Sequence, residues 1–270
     1  MADAILRDRM ENQILEWTLI AASAFVAGMI NSVAGGGTLV SFPALIWLGR
    51  DAIVANATNA VALWPGSLAG MIGFRREIEG SRKWMLMLGL PSLVGGLVGA
   101  ILLLLTPSRV FALLVPYLIF FATLLFAFGD LISKKLRAIF GYDQADGTEI
   151  TGQAWWIGAA IFQFFVAVYG GYFGAGIGIL MLAALGLLGL TDIHRMNGLK
   201  NFFAFVINGI ASVYFIWSGK VAWADAVIMA LGAIAGGFGG AGIARRMGRQ
   251  FVRRVVIVVG FAMAISLLFR

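Results

Sequence analysis

Cysteine is absent from the 270-residue chain, and histidine occurs once, at His194. These absences exclude disulfides, thiolate metal sites, iron–sulfur clusters and a cysteine nucleophile. Charge is scarce too: 12% of residues are charged, against 61% hydrophobic. A soluble domain carries about 25% charged residues, so this chain has too little polar surface to cover a water-facing exterior. It also lacks an intramembrane carboxylate pair and a Walker-type glycine–lysine loop. Those two gaps argue against an intramembrane enzyme and against ATP as the energy source. Met1 to Glu11 mix acids and bases, without the positive stretch and cleavage site of a secretory signal, so the first apolar segment is expected to be retained. No cofactor and no metal is expected.

What remains is an all-α polytopic membrane protein. Apolar runs recur along almost the whole length, and most reach the roughly 18 residues needed to cross a hydrocarbon core. Ten segments are read at 14–33, 38–48, 52–74, 84–105, 110–132, 154–173, 177–190, 199–217, 224–244 and 255–269. The segments at 38–48 and 177–190 are short. Either they cross tilted, giving ten passages, or they are re-entrant and pair with their predecessors, giving fewer. The polar stretch 133–153 reads as a connecting loop. Trp17, Trp84, Trp155, Trp156 and Trp223 stand near segment ends as interfacial anchors.

The net charge of +7 reads as cytoplasmic anchoring against lipid and not as a nucleic-acid surface. Three basic clusters carry it: Arg75, Arg76, Arg82 and Lys83; Lys134, Lys135 and Arg137; and Arg245, Arg246, Arg249, Arg253 and Arg254. With all three in the cytoplasm, both termini lie outside it. The loop after the third segment is basic and the loop after the fourth is not; in the second half this order reverses. Residues also match between halves at an offset of about 141, Gly35 with Gly176, Gly37 with Gly178, Asp51 with Asp192 and Asn56 with Asn197. The expectation is two inverted-topology repeats, 14–132 and 154–270, joined by a cytoplasmic loop at 133–153, within one transporter domain of 8–10 helical segments.

Glycine is plentiful, at 36 residues, and two clusters interrupt apolar segments. The first is Asn31-Ser32-Val33-Ala34-Gly35-Gly36-Gly37-Thr38, and the second runs from Tyr169 to Gly178, with Gly174, Gly176 and Gly178 in it. Glycine costs roughly 1 kcal/mol against alanine in a helix interior, so each cluster breaks a helix. The backbone groups it frees are tolerated in lipid only inside protein or beside a hydrated cavity. Each break precedes a short helix whose first N–H groups lack intrahelical partners and attract anions. Glycine pairs such as Gly95-Gly96 and Gly236-Gly237 read as close helix packing.

Polar residues open the third and eighth segments: Asn56, Thr58 and Asn59 in one, and Asn197, Lys200 and Asn201 in the other, with Asn208 two turns on. Lys200 either contacts an anion or snorkels from a helix end to the headgroups. Asp51 and Asp192 read as helix caps or, with His194, as candidates for proton coupling. Gln163 is expected to hydrogen-bond to a neighbouring helix.

These residues resemble a known family. Val26-Ala27-Gly28, Ala34-Gly35-Gly36-Gly37-Thr38-Leu39-Val40 and Phe42-Pro43-Ala44-Leu45 are similar to the opening motif of the sulfite exporter TauE/SafE family. Ala55 to Asn59 resembles the segment that follows it, and Tyr169 to Gly178 with Asn197 to Asn201 resemble the second-half counterparts. The likeness covers about Phe25 to Leu267, although Leu182 to Ala184 lack a proline matching Pro43. It implies a multi-pass bacterial inner-membrane carrier for sulfite, a sulfonate or a related small sulfur-containing anion, with export more common than uptake. A passive anion channel, or a carrier of small carboxylates or other inorganic anions, is the competing reading, and a homo-oligomer stays open.

Overall fold

The computed structural model describes residues 2–33, 36–73, 75–139, 153–188, 190, 192–247 and 249–269. Among them are ten helices: α1 (Ala2–Val33), α2 (Thr38–Trp47), α3 (Ala52–Gly73), α4 (Arg82–Leu105), α5 (Ser108–Ile139), α6 (Gln153–Tyr172), α7 (Ile177–Leu187), α8 (Ile193–Trp217), α9 (Trp223–Met247) and α10 (Arg249–Leu268). The stretches Met10–Asn31, Arg82–Leu105, Ser108–Gly129 and His194–Trp217 are long and apolar enough to cross a membrane.

The apolar runs located the helices but not their full lengths. α1 begins twelve residues before the run that starts at Ile14, and α5 continues to Ile139, into the stretch expected as loop. α10 begins at Arg249 and not at Val255. The cause is shared: Lys, Arg, Glu and Leu are good helix formers, so a helix outlasts its lipid-facing part. α8 starts at Ile193, after its Asp192 cap, and not at Leu199, which puts Lys200 two turns inside the helix. The remainder of 133–153, residues 140–152, lies outside the described residues.

Side-chain bonds between helix ends fix how the chain threads. Arg50, just after α2, reaches Glu16 of α1 at 3.1 Å and Asp225 in the first turn of α9 at 2.7 Å. The middle of α1, at Glu16, the end of α2 and the start of α9 therefore share one end of the bundle, here the Arg50 end. At the other end Arg195, in the first turn of α8, donates to the Ser81 hydroxyl before α4 at 2.8 Å. Lys83 of α4 lies 5.0 Å from the centre of the Trp156 ring in α6. The starts of α4, α6 and α8 thus share the Arg195 end.

It follows that α1 enters from the Arg50 end and α2 returns to it, while α6 enters from the Arg195 end and α7 returns. A helix of 10 residues such as α2 rises about 15 Å, half of a roughly 30 Å hydrocarbon core. The short helices are therefore the return arms of re-entrant hairpins, the second of the two readings of the sequence. Their glycine breaks form the tips, inside the bundle.

Small residues let the hairpins pack tightly. A Cβ on Gly99 of α4 would strike the Val168 carbonyl of α6, and one on Gly236 of α9 would strike the Phe25 carbonyl of α1. Backbones this close gain van der Waals contact that larger side chains would forbid in lipid. Renumbering each helix of one half by five gives its partner in the other: α1 packs on α9 as α6 packs on α4, and α3 packs on α8. Where α3 crosses α8, Trp64 stacks on Phe205 at 5.6 Å and donates its indole N–H to the Phe205 carbonyl. These two residues are 141 apart, the same offset at which residues of the two halves match in the sequence.

Candidate functional site

Both hairpin tips open onto one cavity of about 570 Å³. Gly36 of the first break lines it, as do Gly174, Gly176 and Gly178 of the second. Asn31, Thr38, Asn56, Asn59, Lys200, Asn201 and Asn208 contribute polar groups. Its exposed rim includes Pro65 and Gly66 of α3 and Ile234 and Phe238 of α9. Asn56, Phe173 and Phe215 are buried and close the side nearer the Arg50 end.

Each tip has its own fastening. In the first, the Asn31 amide oxygen accepts from the Gly37 N–H at 2.8 Å. In the second, the Tyr169 hydroxyl donates to the Ala175 carbonyl at 2.7 Å. Gly174 and Gly176 have φ of +81° and +79°, a left-handed conformation open to glycine. The tips touch through the edge-to-face pair Phe42–Phe173 at 5.4 Å, and the Asn56 side-chain N–H donates to the Tyr172 carbonyl at 3.0 Å. Neither α2 nor α7 has a side-chain cap at its start, so both helix starts direct backbone amides and partial positive charge toward the tips.

Lys200 stands beside the second tip, with its stem against Gly178 and its ammonium 3.2 Å from the Asn197 amide oxygen. It is half-buried in the cavity wall. Asn59, at the matching position of the first half, is buried and lines the same cavity.

Other sequence candidates stand elsewhere. Gly37 and Asn197 act behind the wall, through Asn31 and Lys200. The buried Thr58 hydroxyl accepts from the Ala222 N–H at the start of α9. Asp51 caps α3 by accepting from the N–H groups of Ile53 and Val54, and Asp192 caps α8 through the N–H of His194. Asp51, Asp192 and His194 are exposed and away from the cavity lining. Gly35 lies outside the described residues. Gln163 bonds across to Ser92 of α4 at 2.8 Å.

Sequence reasoning passed over Arg253, reading it with its basic neighbours as a loop residue. It sits in the second turn of α10, lines the cavity and donates to the Phe126 and Ala127 carbonyls of α5. The one available signal was spacing: Arg253 and Gly260 lie two turns apart on one α10 face, and a Cβ on Gly260 would meet Thr123 of α5. Arg50 was missed as well. Its guanidinium is held above its ordinary range, first by the hydrogen bond to Asp225, against the opposing cost of burial.

Comparison with known proteins agrees with this picture. The sulfite exporter TauE/SafE family matches residues 20–267. The chain is 26% identical over 246 residues to probable membrane transporter protein ORF9 of Sinorhizobium sp, covering 91% of this chain and 90% of that one. It is 25% identical over 248 residues to a probable membrane transporter protein of Haemophilus influenzae, covering 91% of each. It is 28% identical over 264 residues to probable membrane transporter protein YunE of Bacillus subtilis, covering 91% of this chain and 96% of that one. No solved structure matches it. A family match across nearly the whole length, with apolar helices long enough to span, leads to one conclusion: the chain is a multi-pass membrane protein and belongs to the sulfite exporter TauE/SafE family.

Proposed function

We propose that the protein is a secondary carrier of small anions in the bacterial inner membrane, exporting sulfite, a sulfonate or a related sulfur-containing anion. The observation that carries this reading is the meeting of both uncapped helix starts, Asn59 and Lys200 at one cavity. Backbone amides, side-chain amides and a cation are all donors, and a set of donors fits a ligand that is all acceptor. The 14–132 and 154–270 halves act as inverted repeats that rock about the site. The three basic clusters face the cytoplasm, so the rim at Gly66 and Phe238 is the cytoplasmic mouth and the packed Phe42–Phe173 pair is the closed outer side.

Purified protein in proteoliposomes tests it. Internal sulfite should accelerate uptake of labelled sulfite by counterflow, and sulfite or sulfonates should raise thermal stability more than chloride does. Flux without counterflow would make the protein a channel. A cytoplasm-active reporter fused after Arg270 should stay silent; activity there would overturn the orientation.

A further inference from the structure

The first half holds a buried polar side chain behind Asn59. Ser41, in the first turn of α2, is fully buried. Its hydroxyl lies 2.5 Å from the Asn59 amide oxygen on α3 and 3.3 Å from the Gly37 carbonyl. Asn59 is 2% exposed, and it lines the cavity. Its amide oxygen is taken by Ser41, while among the described residues its amide nitrogen has no partner.

An amide side chain is two-faced, with one acceptor and two donors at nearly the same place. What decides which face an approaching group meets is the bond at the other face. Here Ser41 supplies a hydroxyl hydrogen to the oxygen, so the nitrogen and its hydrogens are the face left for the cavity. An amide turned the other way would present a partial negative charge to an anion. The matching position of the second half needs no such device, because Lys200 stands there and an ammonium has donors only. The residue that would match Ser41 is Leu182, which is apolar.

We propose that Ser41 is a positioning residue for substrate recognition, turning the Asn59 amide donor-first toward an anion held between Asn59 and Lys200. This rests on the anion reading of the cavity given above.

The test is sulfite counterflow in proteoliposomes, with KM and Vmax measured separately and thermal unfolding recorded for each variant. Ser41→Ala should raise KM about 3- to 10-fold, the weight of one neutral hydrogen bond, with a smaller change in Vmax. Ser41→Thr, which keeps the hydroxyl, should restore KM to within about twofold of the parent. Asn59→Asp still accepts from Ser41 but turns a carboxylate oxygen to the cavity, and should raise KM about 100-fold through like-charge repulsion. A Ser41→Ala protein that unfolds earlier at unchanged KM would make Ser41 merely structural and overturn the proposal. If Ser41→Ala does not insert, Asn59→Asp decides alone: unchanged KM there overturns the donor-first orientation. Parent protein that neither transports sulfite nor is stabilised by it would sink the anion reading, and this assignment with it.

Discussion

The two re-entrant hairpins occupy equivalent places in the bundle and are built by different chemistry. At the α1–α2 tip the loop is tied by an N–H, that of Gly37, given to Asn31. At the α6–α7 tip it is tied by a carbonyl, that of Ala175, which accepts from Tyr169. Beside the first tip, α3 brings the cavity a neutral amide, Asn59; beside the second, α8 brings a cation, Lys200. Architecture needed only that both tips be narrow and rich in glycine. The side chains around them were free to diverge, so the two tips face the cavity with different polar groups.

The matched glycines Gly37 and Gly178 should expose that difference most strongly. A Cβ on Gly37 would run into the Ala27 carbonyl of α1, which is backbone and has nowhere to go. Gly37→Ala should cost about 3 kcal/mol or more and leave little correctly inserted protein, read as the folded fraction in detergent. A Cβ on Gly178 meets the Lys200 stem at 3.2 Å, a flexible side chain. Gly178→Ala should fold normally and show its effect on substrate affinity. Equal folding of the two variants would erase the contrast between the hairpins.

Lys200→Met should keep the fold and lower anion affinity about 10- to 100-fold, the equivalent of roughly 1.5–3 kcal/mol for a charge-assisted hydrogen bond. Lys200→Arg keeps the charge but brings a planar, branched donor set against Gly178 and should fit badly. Near-normal flux in Lys200→Met, assayed at equal expression, would shift recognition to the backbone amides and asparagines.

The smallest expected effect lies at the Arg50 end. Asp225 is buried and bound to Arg50 at 2.7 Å, whereas the Glu16 side chain is 40% exposed and 3.1 Å from Arg50. Asp225→Ala should lower stability by about 1.5–3 kcal/mol, and Glu16→Gln by under about 1 kcal/mol. Thermal unfolding ranks them; the reverse order would mean that α1, and not α9, holds the Arg50 loop.

The amino-acid sequence by itself determined the membrane environment, the all-helical class, the two glycine breaks and the residues that crowd around them. All of these follow from composition and local spacing, since an apolar run and a helix-breaking cluster act within a few residues. The repeat offset also set Asn59 opposite Lys200, although nothing local said that the two share a cavity. Only the tertiary structure decided that α2 and α7 turn back, that Lys200 lines the cavity, that Arg253 leaves its basic neighbours for α5, and that Ser41 meets Asn59. Those outcomes depend on partners distant in sequence: Arg253 binds carbonyls more than 120 residues away, and Arg50 binds Asp225 from 175 residues away. No local pattern encodes such pairings, because burial and packing between distant segments choose them.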